Sequence, residues 1–260
     1  MTHVGMVRKV NEDACVELGG LGLWAVADGM GGHAAGEVAS RMVMDALVGI
    51  RQPSSLGGFV GEVLQRLQAV NQSLCDEAVR RREQIMGSTV VVLLAFDRHC
   101  VSMWAGDSRA YIYRDGELRQ LTRDHSQVED LVSQGLLTRQ QAAHHPASNI
   151  ITRAVGVSHH LDIDTEMFEV KEGDIFLLCT DGLYNEVNAA EITQYLASGS
   201  SQQACELLLE RALARGARDN VTVVVVRVED ASQITQTQIN PVFSGQVKPV
   251  TRDDDPTTLE

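Results

Sequence analysis

The stretch from Thr89 to Leu121 decides the fold class, because it holds two pairs of strand-like runs, each pair separated by a short turn. Its first half reads TVVVLLAF over 89–96 and VSMWA over 101–105, with a polar turn, DRH, at 97–99. Its second half places Asp-Gly between AYIYR and ELRQL, and Asp-Gly is a typical two-residue hairpin turn. Consecutive hairpins predict antiparallel sheets and argue against a doubly wound parallel sheet.

Helical patterns lie on both sides of these hairpins. Gly36 to Ile50 predicts one helix, and a longer one has a single apolar face made of Phe59, Val63, Leu67, Val70 and Leu74. Cys205 to Leu213 predicts another amphipathic helix. Val221 to Val228 is a nearly continuous apolar strand, which we expect to be central and covered on both faces. Helices grouped around antiparallel hairpins predict an α+β fold.

Two segments differ from this pattern. Residues from about 126 to 148 are polar and only weakly helical, which predicts a flap within one domain over 1–230. Residues 231–260 are rich in Gln, Thr, Asp and Pro and have no periodicity, so we interpret them as a flexible C-terminal tail.

The composition excludes several classes of protein. The 260 residues include 35 acidic and 22 basic side chains, a formal charge of −13, and 44% hydrophobic residues, which is ordinary globular composition. Nucleic acids and anionic membranes bind basic faces, so neither is an expected partner. The longest apolar run, Val90 to Phe96, is far shorter than the ~20 residues that span a bilayer, and no secretory signal opens the chain. We therefore expect a cytoplasmic protein and a monomer.

Aspartates recur where the predicted strands meet turns. The members are Asp28, Asp107 and Asp181 after strands and Asp219 before one, with Glu12 and Asp13 near the N-terminus. Packed strands can bring such carboxylates to one edge, where they repel one another unless a cation neutralises them. Oxygen ligands favour Mg²⁺ or Mn²⁺ over zinc. The alternative is that each aspartate only forms its own turn, which is the commoner role of a single one.

Three local patterns mimic other catalytic sites and are rejected. Gly29 to Ala34 matches GxGxxA, but Asp28 would place negative charge at the pyrophosphate of a dinucleotide. Gly106 to Ala110 resembles a nucleophile elbow but lacks the last glycine and leads into a strand. Cys75 and Arg81 have C-x5-R spacing but lie within a helical pattern that has no glycine to hold phosphate.

Eight segments resemble, in the same order, the motifs of the metal-dependent serine/threonine protein phosphatases of type 2C in their bacterial form. They read RKVNED at 8–13, ADGMGGH at 27–33, GST at 87–89, GDSR at 106–109, LTRDHS at 121–126, ITRAVG at 151–156, CTDGL at 179–183 and DNVT at 219–222. The resemblance implies a four-layer α-β-β-α sandwich, with two central antiparallel sheets flanked by helix pairs. It also implies a metal centre at one end, with the flap beside it.

Carried over position by position, the resemblance implies two Mn²⁺ or Mg²⁺ ions and a weaker third one. Asp28 would bridge the two ions, and Gly29 would add its backbone carbonyl to one of them. Asp181 and Asp219 would complete the coordination of the other ion. Asp107, together with Asp181, would form the weaker third site.

The resemblance also assigns roles around these ligands. Glu12 and Asp13 would hold metal-bound waters, with Asp13 acting mostly behind the direct ligands. Arg8 would bind the substrate phosphate, because a guanidinium can donate hydrogen bonds to two phosphate oxygens at once. Many eukaryotic relatives have a histidine general acid where this chain has Met30. His33 is the substitute we consider, and the alternative is that it packs against or caps the following helix.

These expectations favour a phosphatase that hydrolyses phosphoserine and phosphothreonine by attack of a water or hydroxide shared between the metal ions. Its partners would be phosphorylated proteins and a cognate bacterial Ser/Thr kinase. Two alternatives remain, a metal-dependent phosphatase of a small phosphorylated metabolite and a non-catalytic sensor or scaffold. The full set of candidate ligands argues against the scaffold, and substrate competition separates the two enzymes.

Overall fold

Alternating apolar runs form the strands of two sheets. A computed structural model describes residues 1–32, 35–82, 85–142 and 145–229. Its strands are β1 (Thr2–His3), β2 (Asp13–Leu18), β3 (Leu23–Gly31), β4 (Met86–Ser88), β5 (Val90–Phe96), β6 (His99–Ala105), β7 (Arg109–Arg114), β8 (Glu117–Gln120), β9 (Asp164–Glu169), β10 (Ile175–Cys179) and β11 (Val221–Arg227). Its helices are α1 (Ala35–Val48), α2 (Leu56–Arg81), α3 (Gln127–Ser133), α4 (Arg139–Ala142), α5 (Asp181–Tyr184), α6 (Ala189–Leu196) and α7 (Ser201–Ala214).

The strand pairing is antiparallel throughout these strands. One sheet has the order β1-β11-β10-β7-β8, and the other has the order β2-β3-β5-β6-β9 with β4 paired to the end of β3. Both predicted hairpins are present, as β5–β6 and β7–β8. In the second hairpin, Asp115 and Gly116 have φ angles of 53° and 87°, the left-handed region that an Asp-Gly turn requires.

Apolar side chains fill the space between the sheets and the space under the helices. Val26 and Leu93 of one sheet belong to the same buried cluster as Phe176, Leu178 and Val224 of the other. A second cluster joins α1 and α2 to the outer face of the β2-β3-β5-β6-β9 sheet, and a third joins α5, α6 and α7 to the outer face of the other sheet. The predicted four-layer α-β-β-α sandwich is confirmed.

The predicted core elements have the expected faces. Helix α2 begins after Ser55, whose side chain accepts a hydrogen bond from the Gly58 backbone N–H. Its buried face includes Phe59, Val63, Leu67, Val70 and Leu74. Strand β11 is covered on both faces, because Val223 packs under the helices and Val224 packs between the sheets.

The structure corrects two boundaries. Strand β6 begins at His99, so the turn of the first hairpin is only Asp97-Arg98, and Asp97 has a φ of 52°. Strand β3 does not end before Asp28 but continues to Gly31, because β4 supplies a new pairing partner there.

Other predictions concern the flap, the tail and the membrane. Helices α3 and α4 lie within the predicted flap segment. Residues Met1–Val228 form one compact unit, and the predicted tail lies outside the described residues. Among the described residues, none of the helices combines the length and hydropathy that a membrane span requires.

Candidate active site

The predicted aspartates meet at one edge of the sandwich. Asp13 and Asp28 are directly opposed across β2 and β3. Asp107 follows β6, Asp181 opens α5 directly after β10, and Asp219 lies just before β11. The pKa of Asp28 is raised well above its usual value, first by burial and then by the negative charges of the other four aspartates. The fold therefore brings together carboxylates that are far apart in the sequence.

Asp13 is held behind this cluster by two threonines. Its Oδ2 accepts hydrogen bonds from Thr180 Oγ1 at 2.8 Å and from Thr222 Oγ1 at 2.7 Å. Burial raises the pKa of Asp13, while these two hydrogen bonds act in the opposite direction. A carboxylate bonded in this way is fixed in position and supports its neighbours across the strand pair.

The backbone of Asp28 is fixed by β4 and by the turn that carries Asp107. Its N–H donates to Thr89 Oγ1 at 2.9 Å, and its carbonyl oxygen accepts from Ser88 Oγ at 3.0 Å. Thr89 Oγ1 in turn shares a hydrogen bond with Ser108 Oγ at 2.6 Å. Two of the candidate ligands, Asp28 and Asp107, are therefore connected through hydroxyl groups.

Asp181 and Asp107 form the side of the cluster nearest the flap. Burial raises the pKa of Asp181, and the charge of Asp219 raises it further. Burial, followed by the charge of Asp181, raises the pKa of Asp107 to about 7. Within the described ranges, the Oδ1 atom of Asp181 is buried without a hydrogen-bond partner. A buried carboxylate oxygen without a partner is costly, and a cation would satisfy it.

Arg8 lies at the same edge, bonded to a candidate ligand. Its Nη2 is 2.7 Å from Asp219 Oδ2, and both side chains are partly exposed. The loop that carries Arg8 is tied to Asn220, whose Nδ2 donates to the carbonyl oxygens of Val4 at 2.9 Å and Val10 at 3.0 Å. The sequence thus positions a guanidinium beside the carboxylate cluster.

The backbone of Glu12 packs closely against the backbone of Gly29 at this edge. The Gly29 N–H donates to the Glu12 carbonyl oxygen at 3.1 Å, and Asn220 Oδ1 accepts from the Glu12 N–H at 2.7 Å. A Cβ at Gly29 would lie 2.0 Å from the Gly36 carbonyl oxygen, so only glycine fits there. Burial raises the pKa of the Glu12 carboxyl group.

This set of groups fits hard divalent cations. The donors are carboxylate and carbonyl oxygens, which Mg²⁺ and Mn²⁺ prefer. Across the described ranges, no group of three or more Asp, Glu, His or Cys side chains forms a ready-made metal cage. Mg²⁺ usually keeps several waters when it binds protein, so it needs fewer protein ligands than a full cage supplies.

A cleft of about 400 Å³ extends from the cluster to the flap. Its lining includes Asp107 and Asp181 of the cluster and Val128 and Val132 of the flap segment. His33, the candidate proton donor, lies outside the described residues. The structure therefore brings the predicted ligands and Arg8 to one place and leaves the role of each as a prediction.

Several residues of the site escaped prediction from the sequence. Thr89, Ser108, Thr180 and Thr222 lie within the quoted motifs, but their hydroxyl groups had no assigned role or partner. Tyr184 also had no assigned role, although its hydroxyl group donates to the Asp107 carbonyl oxygen at 3.0 Å. The only signal in the sequence is adjacency, because these side chains lie within a few residues of the candidate ligands.

The comparison with known families agrees with this geometry. The family model described as Protein phosphatase 2C matches residues 7–220. The chain belongs to this family. The predicted family and the predicted fold are both confirmed.

Individual relatives extend the comparison. The serine/threonine protein phosphatase PstP of Mycobacterium tuberculosis is 38% identical over 256 residues, which cover 98% of this chain. The match covers 48% of PstP, so the chain spans about half the length of that relative. PppA, described as a key regulatory component of T6SS in Pseudomonas aeruginosa, is 43% identical with a TM-score of 0.82, covering 87% of this chain and 95% of PppA.

A further solved structure contains metal. The catalytic domain of PstP in complex with two manganese ions is 36% identical to this chain, with a TM-score of 0.81. The match covers 88% of this chain and 96% of that domain. The similarity thus includes a relative that was solved with a pair of metal ions.

Proposed function

We propose that this chain is a metal-dependent phosphatase that removes phosphate from phosphoserine and phosphothreonine in proteins. The observation that carries the proposal is the carboxylate cluster, in which one buried oxygen has no partner among the described residues, in a member of the protein phosphatase 2C family. Relatives named as serine/threonine protein phosphatases support the same function. Those names favour it over a metabolite phosphatase and over a non-catalytic scaffold.

Asp28, Asp181 and Asp219 would hold two divalent ions, with the Gly29 carbonyl as a further oxygen ligand and Asp107 beside a weaker third ion. Bound there, the ions would activate a water for attack on phosphorus and neutralise charge on the phosphate oxygens. The manganese pair in the PstP catalytic domain supports Mn²⁺. Mg²⁺ has the same preference for oxygen ligands and remains the second candidate.

Arg8 would bind the phosphate group of the substrate. Its guanidinium lies at the metal edge, and about half of its side chain is exposed, so it is accessible to a ligand. A guanidinium remains charged at any working pH and can donate two parallel hydrogen bonds to a phosphate group. The anchoring of its loop by Asn220 would limit the entropy lost when phosphate binds.

Glu12 and Asp13 would orient the waters that complete the metal shells. The Asp13 side chain is turned towards two threonine hydroxyls, which favours a role behind the direct ligands. His33 remains the proposed proton donor to the leaving serine or threonine oxygen. A histidine can serve in this role because its usual pKa lies near neutral pH.

The setting of the enzyme follows from its proposed substrates. A Ser/Thr kinase of the same cell would produce the phosphoproteins, which places the enzyme in signalling. We infer a monomeric, cytoplasmic protein with a catalytic domain over 1–230 and a flap near 126–148; the predicted tail over 231–260 lies outside the described residues. The formal charge of −13 supports the expectation that neither nucleic acid nor an anionic membrane is a partner.

A substrate competition tests the proposal. The chain, stripped with EDTA and reloaded with Mn²⁺, is assayed on phosphoserine and phosphothreonine peptides beside sugar phosphates and nucleotides. We expect Mn²⁺-dependent hydrolysis, with kcat/KM for the best peptide at least about tenfold above that for any small phosphate. A reversed preference would favour the metabolite phosphatase, and no hydrolysis of any substrate would favour the scaffold.

A further inference from the structure

Tyr184 connects the helix that carries Asp181 to the backbone of Asp107. These are the two aspartates on the flap side of the cluster. Helix α5 is a single turn that begins at Asp181 and ends at Tyr184, so these two residues lie on the same helix face. The Tyr184 hydroxyl group donates a hydrogen bond to the Asp107 carbonyl oxygen at 3.0 Å. The tyrosine therefore spans the distance from the helix that carries Asp181 to the turn that carries Asp107.

The turn at Asp107 is held by several hydrogen bonds, and the bond from the Tyr184 hydroxyl group is the one that reaches the Asp107 carbonyl oxygen. Gly106 has a φ of 115°, and a Cβ there would lie 2.6 Å from the Thr89 side chain, so the turn is tightly packed on one side. Asp107 itself is 8% exposed. Removal of the tyrosine hydroxyl group would leave a buried carbonyl oxygen without its donor, and a rotated peptide would point the carboxylate elsewhere.

Arg109 holds the tyrosine ring in place. Its guanidinium carbon lies 3.5 Å from the centre of the Tyr184 ring, a cation–π contact. The same guanidinium forms a bidentate pair with Asp124, with N–O distances from 2.7 to 3.1 Å, and donates to the Tyr111 hydroxyl at 3.1 Å. Asp124 stands just before the flap, so the ring is also connected to that segment.

The same residues line the cleft between the cluster and the flap. Asp107, Arg109, Asp124, Asp181 and Tyr184 all contribute to its wall. Among the residues that the structure describes, Asp107 and Asp181 form no ion pair with an arginine, and the nearby Arg109 guanidinium is bonded to Asp124. Their separation is set by the groups that hold the turn and the helix.

We propose that Tyr184 is a positioning residue that sets the separation of Asp107 and Asp181 for a divalent ion, and that Arg109 fixes its ring. This inference rests on the proposed metal-dependent function. Tyr184 would act through Asp107, because its hydroxyl group is bonded to the Asp107 carbonyl oxygen. The expected consequence of losing its hydroxyl group is weaker metal binding in a correctly folded protein.

Tyr184→Phe and Tyr111→Phe form a matched pair for the test. Each removes one tyrosine hydroxyl group near the Arg109 guanidinium, but of the two only Tyr184 bonds to Asp107. Mn²⁺ binding to the metal-free full chain is measured by titration calorimetry, without substrate. Asp107→Asn identifies the binding step that involves Asp107, and unfolding midpoints verify that both variants fold.

We expect Tyr184→Phe to weaken that Mn²⁺ step by about tenfold, a typical loss for a group that orients a metal ligand. Tyr111→Phe should bind Mn²⁺ like the unaltered chain. In the Asp107→Asn background, Tyr184→Phe should have no further effect on Mn²⁺ affinity.

The inference is overturned if Tyr184→Phe binds Mn²⁺ like the unaltered chain, if both tyrosine variants weaken binding equally, or if the loss persists with Asp107→Asn. These failures leave the proposed function intact, because Mn²⁺ still binds the unaltered chain. If the unaltered chain binds no Mn²⁺, the proposed function fails and this inference fails with it.

Discussion

Two groups of buried aspartates differ in the charges that surround them. Asp174 is 1% exposed, and Arg114 donates to each of its oxygens at 2.6 Å. Asp181 lies among other carboxylates, and within the described residues one of its oxygens has no partner. A buried carboxylate with its own guanidinium is a structural feature, whereas a buried carboxylate among like charges needs a ligand.

Asp164 shows the same contrast in its pKa. Partial burial raises the pKa of Asp164, but hydrogen bonds from His125 at 3.2 Å and Arg153 at 2.5 Å outweigh it and lower the pKa. Burial without a comparable partner raises the pKa of Asp107 to about 7. Hydrogen bonds from His125 and Arg153 thus lower the pKa of Asp164, whereas burial and a like charge raise the pKa of Asp107.

The largest expected effect comes from Asp28, which the other four aspartates surround. Asp28→Asn should lower kcat on a phosphopeptide by about 10³-fold or more, because a charged ligand at the centre is lost. Without metal, the same variant should be at least as stable as the unaltered chain, because one repelling charge is gone. Steady-state kinetics with Mn²⁺ and urea unfolding with EDTA measure the two effects, and substantial turnover by the variant would contradict the assignment.

Asp174→Ala should have the opposite profile. It leaves Arg114 partly buried without its partner, so the unfolding free energy should fall by about 3 kcal/mol. The kcat of the folded fraction should stay unchanged, because Asp174 lies outside the cluster. Asp162→Ala is the control, since its pair with His160 is exposed and worth well under about 1 kcal/mol. An unchanged urea midpoint for Asp174→Ala would break the comparison.

In the metal-free chain, the two groups of aspartates should change the unfolding free energy with pH in opposite directions. Asp107 has its pKa raised to about 7 in the folded state, against about 4 when unfolded. The folded chain therefore binds more protons, and its unfolding free energy should fall as pH rises from about 4 to about 7. We expect the unfolding free energy to fall by on the order of 2 kcal/mol. This is less than the full pKa shift would give, because local relaxation of the structure reduces the cost of the charge.

Urea unfolding with EDTA at several pH values measures this fall. Asp107→Asn should make the decrease of the unfolding free energy with pH less steep. Saturating Mn²⁺ should counteract the decrease by binding the ionised carboxylates. Asp164 contributes with the opposite sign, because its lowered pKa gives stability that is lost only as pH falls below about 4. A stability that rises steadily from pH 4 to 7 without metal would contradict the origin assigned to these shifts.

The ion pair between Arg8 and Asp219 is a third case for the comparison, because it joins an arginine to one of the candidate metal ligands. Its side chains are 52% and 38% exposed, so the pair should add less than about 1 kcal/mol to stability. Arg8→Ala should instead raise KM for a phosphopeptide by about tenfold with a smaller change in kcat. An equal loss of kcat at constant KM would contradict phosphate binding by Arg8.

The sequence was sufficient to predict the layers and the place where the carboxylates meet. Hairpin turns and the apolar stripe of α2 are local signals, and they correctly indicated an α+β fold with antiparallel sheets; the family resemblance implied the four-layer sandwich. The hydrogen bonds that hold the cluster were not predictable, because Asp13 meets Thr222 only after the two sheets pack, and Asp107 meets Tyr184 only after β7 pairs with the distant β10. The continuation of β3 past Asp28 was missed for the same reason, since β4 is distant in sequence.

Anomalous scattering from crystals grown in MnCl₂ tests the central claim most directly, because it locates manganese without reference to activity. We expect two peaks at the carboxylate edge, each within about 2.5 Å of an Asp28 oxygen, with Asp181 and Asp219 beside one of them. An edge without manganese peaks, in crystals that carry manganese elsewhere, would contradict a metal centre built from these aspartates.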